Sequence, residues 1–141
     1  MDASRVHGGL WVGSAPYERD PELEGFDLLV FAAIEYQPTD LPFYLGKVLH
    51  CGIEDESRDL LPGEIDAVMN AARTVSHCLW LGEDVLVTCI SGWNRSCLVA
   101  GMALVLGGMQ WSEAFAMLRQ ARGRNALCNE YHRGFLEASR A

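Results

Sequence analysis

The sequence predicts an α/β fold: a single domain with a central, mostly parallel sheet flanked by helices, and a tight loop between one strand and a buried central helix. Three observations lead there. Four short segments rich in Val, Leu and aromatic residues are bounded by Gly, Pro or acidic residues. Stretches with apolar residues at three- and four-residue steps lie between and after them. At 141 residues the chain can bury one core without disulfides or a structural metal. No repeat, low-complexity tract or linker divides it, so residues 1–141 are expected to form one domain.

In chain order, strands are expected at Leu10 to Val12, Phe26 to Phe31, Lys47 to Cys51 and Asp84 to Thr88. Between the last two, Pro62 opens a helix whose apolar stripe is Ile65, Val68, Met69, Ala72, Val75 and Leu79. After Ser96, the residues Leu98, Ala100, Met102, Leu104 and Val105 are apolar nearly all round. That predicts a central, buried helix ending at Gly107-Gly108. Ala114, Met117, Leu118 and Ala121 mark the next helix, and Tyr131, Phe135 and Leu136 the last.

Charge and cysteine usage narrow the partners. The net charge of -8, from 11 Lys and Arg against 19 Asp and Glu, disfavours a nucleic-acid or anionic-membrane partner. Any anion must therefore be met by a local site. No apolar run reaches membrane-spanning length, and Met1 to Arg5 lack the layout of a secretory signal, so the expected location is the cytoplasm. The five cysteines, Cys51, Cys78, Cys89, Cys97 and Cys128, are odd in number and show no CxxC spacing, which disfavours a disulfide framework or a common zinc site. No metal and no cofactor are expected.

The chemistry concentrates between the strand Val85 to Thr88 and the helix that begins near Arg95: Cys89-Ile90-Ser91-Gly92-Trp93-Asn94-Arg95-Ser96. Backbone N–H groups at a helix N-terminus converge on a point that the helix dipole makes attractive to an anion. Gly92 permits the tight turn. A cysteine beside those groups and Arg95 is expected to be a thiolate, the nucleophilic form. Arg95 has a planar fork for two phosphate oxygens, and Ser96 can hydrogen-bond the sulfur as it leaves. Gly at +3, Arg at +6 and Ser at +7 from any cysteine would arise by chance in about 0.2% of chains of this composition, so coincidence is a poor explanation.

This loop resembles that of the dual-specificity branch of the cysteine-dependent protein tyrosine phosphatases: Cys, five residues, Arg, then Ser or Thr. The resemblance extends to Gly9-Leu10-Trp11-Val12-Gly13-Ser14-Ala15, similar to the family's first strand and turn, and to Arg122 through Asn129 with Phe135-Leu136 near the C-terminal end. It implies a small, atypical member that hydrolyses phosphate monoesters through a phosphocysteine on Cys89, with Arg95 on the phosphate. It also implies an aspartate as general acid and base on the loop after the preceding strand. Asp55, 34 residues before Cys89, is assigned that role, with Glu54, Glu56 and Asp59 as rivals. The implied substrate is a phosphorylated protein or peptide, phosphotyrosine first, with phosphoserine and phosphothreonine as alternatives; a phosphate- or sulfate-like anion is expected in the loop.

The sequence departs from the family in having Thr88 where most members carry histidine before the nucleophile. Trp93 at the loop's rim and Tyr36 are expected as pocket walls or as packing, and Asn129 as a pocket residue, a brace of the loop or a cap of the last helix. Arg122 and Arg124 are read as a solvated helix end, with a second phosphate site as the alternative. His50, His77 and His132 lack ligand spacing. Cys97 is read as helix packing, and capture of an oxidised Cys89 by Cys97 or Cys128 is the minor alternative. Other functions weighed are a pseudophosphatase that only captures phosphorylated partners, an RNA 5′-triphosphatase, suggested by Asn94 before Arg95, a phosphoinositide phosphatase, disfavoured by the absence of lysine in the loop, and rhodanese-like sulfur transfer.

Overall fold

The structure, a computed structural model, describes residues 1–139. Its elements are β1 (Ala3–His7), β2 (Leu10–Gly13), a 3-10 turn (Pro21–Gly25), β3 (Leu28–Ala33), β4 (Lys47–Ile53), α1 (Pro62–Trp80), β5 (Val85–Thr88), α2 (Arg95–Leu106), α3 (Trp111–Arg122) and α4 (Glu130–Glu137). The sheet order is β1-β2-β5-β3-β4. β2, β5, β3 and β4 run parallel, and β1 is antiparallel to β2 at the edge.

β5 is central because both its faces are apolar: all four residues of Val85–Thr88 are buried between β2 and β3. β3 runs from Leu28 rather than Phe26, and two alanines extend it to Ala33. Phe26 instead turns its ring onto Trp11, edge to face at 6.0 Å, on the sheet face away from the helices. β1 was not expected from the sequence. Its residues are mostly polar and half-exposed, as suits an edge strand, and carry little apolar signal.

The main core lies between one sheet face and the four helices, joining Leu10, Val12, Val30, Val85 and Val87 to α1 and α2. The opposite face carries a smaller cluster, Leu23, Leu29, Phe31 and Leu86, closed by the 3-10 turn and by the loop that holds Leu41 and Tyr44. Every residue of α2 from Arg95 to Val105 is buried, as an all-round apolar helix requires. None of the described helices is long and apolar enough to cross a membrane.

α2 can lie this close to α3 and α4 because Gly101 presents no side chain at their crossing. A Cβ there would stand 3.1 Å from Leu136 Cδ2 and 3.2 Å from Leu118 Cδ1. Gly101→Val is therefore expected to overpack the crossing and to cost about 1–3 kcal/mol, read as a lower urea midpoint at unchanged slope.

Candidate active site

The loop from Cys89 to Asn94 leaves the C-terminal end of β5 and feeds α2, which Asn94 opens. Its carbonyls are anchored one by one to the surrounding protein. Ile90 O accepts from Ala15 N at 3.2 Å and Trp93 O from Leu127 N at 2.7 Å. Ser91 O and Gly92 O accept from Arg122, at 2.9 Å from Nη2 and 3.1 Å from Nε. In a trans peptide the N–H points opposite to the C=O. Outward carbonyls at 90 to 93 therefore turn the N–H groups of residues 91 to 94 inward, toward Cys89. Among the described residues, none of the N–H groups of 91–95 has a backbone or side-chain acceptor. That is an anion cradle at a helix N-terminus.

Gly92 is required twice over. Its φ of +74° belongs to the left-handed region. A Cβ there would also lie 2.5 Å from Arg122 Nη2 and 2.7 Å from the Gly13 carbonyl carbon.

Cys89 is 3% exposed, and its Sγ lies 3.2 Å from Ser96 Oγ. Arg95 is buried, with Nη1 on Ile53 O at 3.1 Å and both Nη groups on the Glu35 carboxylate, Nη2 to Oε2 at 3.1 Å. The hydrogen bond from Arg95 holds the Glu35 carboxyl below the usual carboxylate range. Arg95 Nε is buried and has no partner. Glu35 was missed in the sequence, where an acid after an apolar strand reads as an ordinary solvated turn residue. Its pairing depends on β3 and β5 being neighbours.

Asp55 comes to this site, on the loop after β4, while its rival Asp59 is exposed and lines a different hollow with Leu60 and Tyr131. Two amides bracket the Asp55 carboxylate: Asn94 Nδ2 at 3.1 Å from Oδ2 and Asn129 Nδ2 at 2.7 Å from Oδ1. Asn129 also donates to Glu56 O, while its Oδ1 accepts from Tyr131 N and His132 N to cap α4. Asn129 thus caps α4 and braces the Asp55 loop with its side chain, and its backbone N–H reaches the cysteine loop, donating to Asn94 Oδ1 at 2.8 Å; its side chain is a brace rather than a pocket wall.

Of the two readings given for Tyr36, the structure shows packing: its ring lies edge to face on Phe31 at 5.6 Å, and its hydroxyl donates to Pro16 O. One expectation needs correction. Arg122 is neither solvated nor free for a second phosphate: its side chain is 5% exposed and wholly engaged with the loop, Asp2 and Ser4. Arg124 is exposed. Trp93 stands at the rim, 39% exposed, beside Ile90 at 41%.

The remaining thiols and histidines are placed by packing. Cys97 is fully buried behind the loop, 3.6 Å from Gly92 O, and burial pushes its thiol far up. Cys128 is exposed, 3.4 Å from Asn94 Nδ2. His132 is buried, which lowers its pKa and keeps it neutral. Among the described residues no cluster of His, Cys, Asp and Glu could hold a metal ion.

The acid loop is fastened to α1 by Glu64, another residue the sequence did not single out. Its carboxylate accepts from Glu54 N and Leu61 N, both at 2.9 Å, and from Arg58 Nη1 at 2.7 Å. Burial opposes its ionisation, but these donors outweigh it and the carboxyl titrates at about 2. Because that value lies below the unfolded one, about 4.3, its stabilisation is complete above that pH and is lost as pH falls toward 2. Glu64→Gln is expected to lower stability at neutral pH and to flatten the decline of unfolding free energy over this acid range. Thr88 Oγ1, where the family resemblance implies histidine, is buried without a partner. Thr88→Val keeps the shape and removes an unsatisfied hydroxyl, so it is expected to raise stability by about 1 kcal/mol in a urea titration.

No protein-family model matches the chain, and neither does any curated protein. Solved structures do. Human DUSP28 superposes with a TM-score of 0.74 at 22% identity, over 95% of this chain and 94% of that one. Tk-PTP in its active form gives 0.73 at 23% identity, over 96% of each chain. A mouse putative dual specificity phosphatase complexed with zinc tungstate gives 0.76 at 21% identity, over 96% of this chain and 83% of that one. Across nearly its whole length, with the cysteine loop at the end of the central strand, the chain has the fold of the small dual-specificity and tyrosine phosphatases.

Proposed function

We propose that the protein is a cysteine-dependent phosphatase that hydrolyses phosphate monoesters, phosphotyrosine in proteins or peptides above all. The observation that carries this reading is the set of free N–H groups of residues 91–94, turned inward toward a cysteine whose sulfur already meets the Ser96 hydroxyl. The shared fold with dual-specificity phosphatases supports it.

In the proposed reaction the phosphate sits in the cradle and takes a hydrogen bond from Arg95 Nε, the guanidinium donor left without a partner. The Cys89 thiolate attacks phosphorus as the ester P–O bond breaks, and Asp55 gives its proton to the leaving oxygen. Water then attacks the phosphocysteine and yields a proton to the Asp55 carboxylate. The S–P bond breaks, with Ser96 hydrogen-bonding the departing sulfur, and inorganic phosphate is released. Glu35 holds Arg95 by its two Nη groups and so fixes the direction in which Nε points.

The surroundings favour an aryl phosphate over a polyanion. Ile90, Trp93 and Ile34 are half-exposed apolar side chains on or beside the loops that form the site, suited to the faces of a phenyl ring. The loop residues 90–94 include no lysine, and Arg95 is already paired with Glu35, so the loop offers little to the further phosphates of an inositol polyphosphate or an RNA 5′-triphosphate.

The test is hydrolysis of an aryl phosphate, and of an alkyl phosphate with a poor leaving group, with chelator present. Cys89→Ser is expected to abolish turnover on both. Asp55→Asn is expected to lose about 10²–10⁴-fold on the alkyl ester and less on the aryl ester. Undiminished turnover in Cys89→Ser would sink the mechanism. A loss in Asp59→Asn with none in Asp55→Asn would move the acid to Asp59.

A further inference from the structure

We infer that Asp2, at the edge of the sheet, is a positioning residue for the phosphate cradle, acting through Arg122 to hold the loop's carbonyls outward. This rests on the reading that the cradle binds a phosphate-like oxyanion.

The argument begins with a count of donors. A guanidinium has five N–H groups, and here each has an acceptor. Nε donates to Gly92 O at 3.1 Å, and Nη2 to Ser91 O at 2.9 Å and Asp2 Oδ2 at 3.0 Å. Nη1 donates to Asp2 Oδ1 at 3.0 Å and Ser4 Oγ at 3.2 Å. One edge of the fork thus meets two consecutive loop carbonyls, and the other is taken by a bidentate carboxylate. Asp2 is itself fixed beside the loop, because Asp2 O accepts from Ser14 N at 3.0 Å and Gly13 O accepts from Cys89 N at 3.3 Å.

Arg122 is the last residue of α3, where a long side chain has many rotamers and water is near. Its side chain is nevertheless 5% exposed. A buried guanidinium stays in such a place when a carboxylate compensates its charge, and Asp2 supplies that charge. The hydrogen bond from Arg122 in turn holds the Asp2 carboxyl below its ordinary range. Because the pair is formally neutral, its contribution to the cradle is geometric: it sets the two peptide planes whose N–H groups, those of Gly92 and Trp93, face the anion.

This separates two roles for Arg122 by experiment. If Arg122 served the anion by charge, removing Asp2 would unmask that charge and tighten anion binding. If Arg122 positions the loop, removing Asp2 frees the guanidinium to turn toward water, and binding weakens. The probe is sodium tungstate, titrated calorimetrically into the full chain at about 0.15 M salt, where long-range effects are screened. Thermal melting alongside confirms that each variant is folded. Asp2→Asn, at an exposed residue, is expected to bind tungstate about tenfold more weakly than wild type and to lose kcat/KM on an aryl phosphate to a similar degree. Arg122→Lys keeps the charge but cannot span two carbonyls and a carboxylate, so it is expected to bind no better than Asp2→Asn. Unchanged or tighter tungstate binding in folded Asp2→Asn, or wild-type binding in Arg122→Lys, would overturn the inference. A wild-type protein that binds tungstate and releases no phosphate from an aryl ester would defeat the hydrolytic reading alone, with the tungstate affinities still deciding the role of Asp2.

Discussion

The site depends on one constraint, the direction of four consecutive carbonyls. Left alone, a short loop would not aim several N–H groups at one point, because such groups repel one another and each prefers water or an acceptor of its own. Here each carbonyl from Ile90 to Trp93 is held from outside: by the turn after β2, by the end of α3, and by Leu127 ahead of α4. The last anchor carries local strain. Leu127 is fully buried and, among the described residues, is the non-glycine residue with a left-handed φ, +56°. That conformation costs a non-glycine residue about 1–3 kcal/mol, which its packing and its bond to Trp93 offset.

Around the cradle, charges are compensated in pairs rather than pooled. Arg95 is matched by Glu35, Arg122 by Asp2 and Arg58 by Glu64 and Glu54. In a chain of net charge -8 this keeps a strong positive field from spreading beyond the loop, and leaves oriented dipoles and the unpartnered Arg95 Nε–H as the groups open to an anion. The two asparagines follow the same logic on the other side. Asn94 belongs to the cysteine loop and Asn129 to the cap of α4, and both donate to Asp55, so three segments share one carboxylate. A site of this kind is selected by geometry more than by net charge.

How far the sequence could be read follows from the range of each signal. The helices beginning at Pro62 and Arg95 and the strand Val85 to Thr88 show in local periodicity, and so does the Cys89 to Ser96 loop, because all its members are close in sequence. Edge strand β1 has little apolar signal, and the start of β3 was obscured by Phe26, an aromatic that packs on the far sheet face. Glu35, Glu64 and Asp2 were illegible as site residues for a different reason: each is a single acid at a turn, a helix start or a chain end, and its partner is set by topology. Arg122 was misread because a basic residue at a helix C-terminus is usually solvated. Nothing in its neighbourhood in sequence announces the loop carbonyls 30 and 31 residues away.

Those separations bear on how the protein folds. The cradle's outer contacts join residues 30, 31, 118 and 120 positions apart, and the Asp55 bracket spans 39 and 74. Contacts of long sequence separation close late, after local helices and hairpins have reduced the entropy of bringing distant segments together. The geometry of the cysteine loop therefore requires segments from opposite ends of the domain to be docked together, so the surroundings of Cys89 belong to the finished domain and not to the local sequence.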